Sequence, residues 1–149
     1  MSLEHDLQQE KFSSVHNKAA VNILYTSSWL YNLNASRLKD YDITPEQFNV
    51  LRILRGSHPK PLMLADIALR MIDKNSNATR LVEKLRQKGF LKREICEENR
   101  RQVDIIITDK GLNVLKRIDS DEAEWLAKLK TITKAEAQEL NRILDKLRG

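Results

Sequence analysis

The chain has 149 residues, of which 41% are hydrophobic, 32% charged and 5% aromatic, with a formal net charge of +5 and a pI near 9.4. That suits one packed, helix-rich domain with an anionic partner. Cys96 is the only cysteine, which excludes an internal disulfide or a thiolate zinc site. His5, His16 and His58 show no metal spacing, and no apolar run approaches the roughly 18 residues of a membrane span. The expectation is a soluble cytoplasmic protein with no leader, membrane partner, metal or cofactor.

The first predicted element is a long helix over about Leu7 to Lys39. Phe12, Val15, Ala19, Ile23, Leu30 and Leu38 form its apolar stripe, with Ala20, Leu24 and Tyr31 beside it. Four basic residues face five acidic ones before Thr44, so this is a packing helix rather than a nucleic-acid arm. Thr44-Pro45-Glu46-Gln47 then supplies an N-cap, a proline at the first helical position and a capping box. Phe48, Leu51, Ile53 and Leu54 are the buried face of that second helix, and Gly56 with Pro59-Lys60-Pro61 ends it. A shorter helix covers about Leu64 to Met71. A turn at Ile72 to Asn75 leads to Ser76, read as the N-cap of a helix reaching Lys88.

That pair of helices has helix-turn-helix spacing. At about 100° per residue, Ala78, Leu81, Val82 and Leu85 share one face of the second helix. Asn77, Arg80, Glu83, Lys84 and Gln87 share the other. Gly89 stops the helix in the manner of a left-handed C-terminal residue. Phe90–Cys96 and Arg101–Ile107 read as paired strands joined by a turn at Glu97 to Arg100, a hairpin of the kind called a wing. Thr108-Asp109-Lys110-Gly111 opens a helix running to about Lys130. Thr133-Lys134-Ala135-Glu136 caps a last one, with Leu140, Ile143, Leu144 and Leu147 as its stripe. The fold class is therefore mainly α with a small β-hairpin wing (α+β): a winged helix-turn-helix with long N- and C-terminal helices.

From Lys74 to Arg101, nine basic residues stand against four acidic ones, an excess equal to the +5 of the whole chain. A positive ridge on a helix and hairpin fits a phosphate backbone. Asn77 and Arg80 are the candidates for base contact in the major groove. Ser76 and Thr79 can add hydroxyl contacts, and Lys74, Lys84, Gln87 and Lys88 complete the helical set. Arg100 and Arg101 at the wing tip suit a narrow minor groove. The terminal stripes need a cover. A second copy would provide it and set two reading helices roughly 34 Å apart, matching a palindromic double-stranded site. The alternative, a winged helix serving as a protein-interaction or dimerisation module, predicts an apolar surface in place of Arg80, Lys84 and Gln87. An enzyme is disfavoured by the lack of a nucleophile–base set, a phosphate-cradling loop or a metal cluster.

At these residues the chain resembles the MarR family of bacterial transcriptional regulators. The resemblance runs through Thr44-Pro45-Glu46-Gln47-Phe48 with Val50-Leu51, Leu64-Ala65-Asp66-Ile67-Ala68, Asn77 to Leu85, Lys88-Gly89-Phe90-Leu91-Lys92-Arg93, and Arg101 through Gly111. It implies one domain over 1–149, with a winged DNA-binding core at 44–108 and helical dimerisation regions at 1–43 and 109–149. It also implies a homodimeric regulator, a repressor more often than an activator, released by a small aromatic or phenolic effector. Tyr25, Trp29 and Phe48, near Leu112, are the candidate effector contacts. Where the family's wing carries Asp-x-Arg, this chain has Asn99-Arg100-Arg101. The family's peroxide sensors carry a cysteine near the first helix, whereas Cys96 falls on the wing strand.

Overall fold

The computed structural model describes residues 1–149. Two helices come first: α1, Leu3–Leu7, and α2, Val15–Leu38. The predicted single helix from Leu7 is thus corrected. Gln8 takes a left-handed conformation and ends α1. α2 restarts where the Ser14 side chain accepts the Asn17 N–H at 3.0 Å. Phe12 lies outside both helices, where its ring receives Lys18 at 5.9 Å.

After a 3₁₀ turn at Lys39–Tyr41 the chain forms α3 (Pro45–Ser57), α4 (Leu64–Arg70) and α5 (Ala78–Gln87). The Thr44–Gln47 capping box closes with two 3.1 Å bonds. The N-cap of α5 is Asn77 rather than Ser76: the Asn77 Oδ1 accepts the Arg80 N–H at 3.0 Å. Both residue types cap well, so adjacent candidates are not separable by propensity. Ser76 instead belongs to the preceding turn, its N–H bonding the Asp73 carbonyl at 3.2 Å. At the other end Gly89 has φ +78°. Its N–H bonds the Arg86 carbonyl, and the Phe90 N–H bonds that of Leu85. This pair of bonds is a Schellman stop.

The wing strands are β1 (Leu91–Ile95) and β2 (Val103–Ile107), antiparallel, with Leu91 opposite Ile107 and Ile95 opposite Val103. The predicted second strand began at Arg101; the loop is longer, closed by Cys96 N–H to Gln102 carbonyl at 3.0 Å. Leu62 adds a bridge to Ile105 that the sequence did not announce. Beyond the wing come α6 (Asp109–Ser120), α7 (Glu122–Ala127) and α8 (Lys134–Arg148). The helix predicted to reach Lys130 breaks at Asp121. The Tyr41 hydroxyl takes the Asp121 carboxylate, and the Arg37 guanidinium takes the Ile118 carbonyl at 3.1 Å. Contacts from α2 and its 3₁₀ extension thus hold the chain where it would otherwise have continued helically.

The core gathers Val50, Leu51 and Leu54 of α3, Ile67 of α4, Val82 and Leu85 of α5, Leu91, Ile105 and Ile107 of the wing, and Leu115 and Ile118 of α6. It also takes in Leu38, at the end of α2. By contrast, α8 has no buried residue.

Candidate nucleic-acid interface

The Asn77 cap, the Schellman stop and the burial of Ala78, Val82 and Leu85 fix the rotation of α5. Asn77, Thr79, Arg80, Lys84 and Gln87 are exposed on the opposite side, while Ser76 and Lys88 are half-buried. Arg80 and Lys84 belong to no ion pair, so their charged heads are available to an anion. The Asn77 amide NH₂ remains a donor although its oxygen caps the helix. A groove of about 560 Å³ runs beside α5, bordered by Asn77, Arg80, Lys84 and Lys88 and, on the far wall, by Thr44, Glu46, Gln47 and Asp73.

Two predicted phosphate contacts are otherwise engaged. The Lys74 ammonium bonds the Leu69 carbonyl at the end of α4. The Lys88 ammonium bonds the Asp42 carbonyl and lies 3.5 Å from its carboxylate. Both lysines therefore brace turns in this structure. Arg100 and Arg101 are exposed at the wing tip, as expected. The Asn99 Oδ1 accepts the Arg101 N–H at 3.2 Å. An Asx turn needs only a side-chain oxygen, so asparagine can hold this loop as aspartate would. Neither Glu97 nor Glu98 pairs with the arginines.

The sequence reading missed how wing and helix are joined. The Glu83 carboxylate receives Arg86 at 2.7 and 3.0 Å and Arg93 of β1 at 2.9 Å. The Arg86 guanidinium, and after it Arg93, holds the Glu83 carboxyl below its ordinary range. Thr108 donates its hydroxyl to the Gly89 carbonyl at 2.6 Å and accepts the Gly111 N–H at 3.2 Å. The Lys110 ammonium bonds the Lys88 carbonyl at 2.8 Å. The base of the wing is thus stitched to the C-terminus of α5. The opposed charges at 83 and 93, each on the outward face of its own element, were the available signal.

A cavity of about 290 Å³ lies between α2, α3 and α7, lined among others by Leu30, Tyr31, Asn34, Phe48, Arg52 and Trp125. Of the three predicted effector contacts only Phe48 borders it. Tyr25 and Trp29 sit in a separate shallow depression with Ser28, Asn32 and Leu33. The split follows from helical phase. Ser27, Leu30, Tyr31 and Asn34 form the stripe of α2 that meets α3, and Tyr25 and Trp29 are rotated away from it. Within the cavity the Arg52 guanidinium stacks 5.6 Å from the Phe48 ring. The Asn34 Oδ1 is buried without a partner.

Residues 43–103, which span α3 to the start of β2, match the MarR family model. The transcriptional regulator MgrA of Staphylococcus aureus is 26% identical over 147 residues, covering 99% of this chain and 93% of its own. MepR of S. aureus, solved in complex with DNA, superposes with a TM-score of 0.76 at 20% identity, covering 92% of this chain and 97% of its own. BpsR of Bordetella bronchiseptica, whose DNA binding is regulated by 6-hydroxynicotinic acid, superposes at 0.76 with 17% identity, covering 89% and 99%. No helix is long and apolar enough to cross a membrane. The winged core of the chain thus matches the MarR family model, and over nearly its whole length the chain resembles MarR-type winged helix-turn-helix transcriptional regulators in sequence and fold.

Proposed function

We propose that this protein is a sequence-specific reader of double-stranded DNA that acts in the cytoplasm as a homodimer on a palindromic site, as a repressor released by a small aromatic or phenolic ligand. Residues 1–149 form one domain, with 44–108 as the reading core and 1–43 and 109–149 as the dimerisation region. The observation that carries the reading is the unpaired, exposed Arg80 and Lys84 on the outer face of α5, with Arg100 and Arg101 exposed on the wing. Asn77 and Arg80 read base edges, Thr79, Lys84 and Gln87 support them, and the wing arginines enter the minor groove. The polar character of this face counts against a protein-interaction module, which needs an apolar one there.

Dimerisation is supported by the apolar residues left open on the terminal helices: Leu24, Trp29, Leu140, Ile143 and Leu147. The ligand reading is supported by the cavity beside Phe48. An aromatic ring fits its Phe48, Leu30 and Trp125 walls, a hydrogen-bond donor satisfies the Asn34 oxygen, and an acid group suits Arg52. The relatives solved with DNA and regulated by a hydroxylated aromatic acid have the same fold. Titration of duplex DNA at about 50 and 200 mM salt tests the central claim. With six to ten phosphates neutralised, affinity falls by roughly 10³–10⁵ between these salts. Binding indifferent to salt, or equal for selected and random duplexes, would overturn it.

A further inference from the structure

The cavity and the reading groove share a wall. Glu46 and Asp73 border both, Glu46 from the first turn of α3 and Asp73 from the turn before α5. On the cavity side the Tyr31 hydroxyl, from α2, donates to the Glu46 Oε1 at 2.8 Å. That bond, followed by desolvation, raises the Tyr31 phenol above its ordinary range, so it stays a donor at neutral pH. Neither Glu46 nor Asp73 is paired with a cation, and Arg80, across the groove, has no carboxylate partner. A single hydrogen bond from the helical arm therefore holds an acidic side chain that borders both the cavity and the groove of the DNA-reading cations.

We propose that the Tyr31–Glu46 hydrogen bond is a latch through which an occupant of the cavity controls DNA reading. It rests on the assignment of α5 as the reading helix. With the cavity empty, the phenol keeps the Glu46 carboxylate on the α2 side of the wall. An occupant that offers Tyr31 a competing acceptor, such as its own carboxylate or carbonyl, leaves Glu46 without its donor. The carboxylate is then free to turn into the groove it borders with Arg80. There it neutralises a contact and repels the incoming phosphate. Tyr31 and Glu46 are positioning residues in this scheme; neither touches DNA while the latch is closed.

The test needs no ligand, because Tyr31→Phe removes the hydroxyl directly. A mixed-sequence duplex is titrated, at several salt concentrations, with the full-length wild type, Tyr31→Phe, Glu46→Gln and the double variant. The released carboxylate cancels about one positive charge beside the phosphates, which weakens binding about five- to tenfold near 0.1 M salt and lowers the salt slope by about one. Tyr31→Phe is expected to show both changes, Glu46→Gln to bind at least as tightly as wild type, and the double variant to match Glu46→Gln. That rescue separates a released charge from damaged packing, which removing the carboxylate would not repair. If Tyr31→Phe does not fold, Tyr31→Met, which also lacks the hydroxyl, carries the same expectation. Wild-type affinity in Tyr31→Phe, or a double variant as weak as Tyr31→Phe, overturns the latch alone. A wild type without salt-dependent duplex binding overturns the reading of α5, and the latch with it.

Discussion

The reading head and the terminal helices treat the same kinds of side chain differently. In the head, Val50, Leu51, Leu54, Ile67 and Leu85 are enclosed by neighbours from the same chain. In α2, 24 residues long, only Leu38 is buried, and the fifteen-residue α8 buries nothing. Isolated helices of this length are marginal in water unless an apolar face is covered. The head is thus folded by its own contacts, whereas the arms leave much of their apolar pattern uncovered. Periodicity states which face will be buried; it does not state which molecule buries it.

The sharpest way to break that contrast is Ile143→Asp. If a second copy covers α8, the change removes two equivalent apolar contacts, each worth about 1.5–3 kcal/mol of burial, and places carboxylates against each other. Sedimentation should show a dimer for wild type and a monomer for the variant, with the wild-type Tm rising with protein concentration. A wild type that sediments as a monomer would mean that the arms are covered some other way. On the other side of the comparison, Gly111→Ala presses on the head from the first turn of α6. An added Cβ would lie 2.2 Å from the Phe90 carbonyl oxygen and 2.7 Å from Ile107 Cγ1. Backbone cannot yield as a side-chain tip does, so a loss of about 3 kcal/mol is expected. In a chain of this size that lowers the Tm by roughly 6–12 °C. An unchanged melt would mean that the wing base is looser than drawn.

The same contrast explains what was legible in the sequence. Both capping boxes, Thr44–Gln47 and Thr133–Glu136, the Gly89 stop and the wing were readable because each is settled by residues within a few positions. The break at Asp121 was not, because it depends on Tyr41 and Arg37, some 80 positions away in the chain. Nor was the Leu62 bridge to Ile105. Within the candidate site the outward face of α5 followed from its apolar period. The fates of Lys74 and Lys88 did not, since a long side chain can reach a carbonyl that sequence spacing does not reveal. Tyr25 and Trp29 lie apart from Phe48 for a subtler reason: size alone does not give the phase of α2, and only its packing on α3 turns the Tyr31 stripe rather than the Trp29 stripe toward Phe48.

Within the head, the helix and the wing can be set against each other. Arg80→Ala should cost about 1–3 kcal/mol of discrimination between a selected and a random duplex. Arg101→Ala should instead weaken both duplexes alike and reduce the salt slope by about one. Competition titrations with the two duplexes measure both effects. If Arg101→Ala lowers only the ratio, the wing reads sequence and the helix does not carry that task alone.

The smallest effect concerns the joint between helix and wing. Glu83 bridges Arg86 and Arg93, and its carboxyl titrates below the ordinary glutamate value of about 4.3. A carboxyl depressed by folding contributes stability that is fully present above the unfolded value and disappears as pH falls through the folded one. Wild type should therefore be slightly more stable than Glu83→Gln at neutral pH, since exposed pairs contribute little. The gap should narrow as pH falls below the unfolded value and close once it is below the folded one, where both side chains are neutral. Denaturant midpoints for the two proteins across this range measure it. A gap that persists unchanged in acid would mean that Glu83 acts through packing or hydrogen bonding rather than charge.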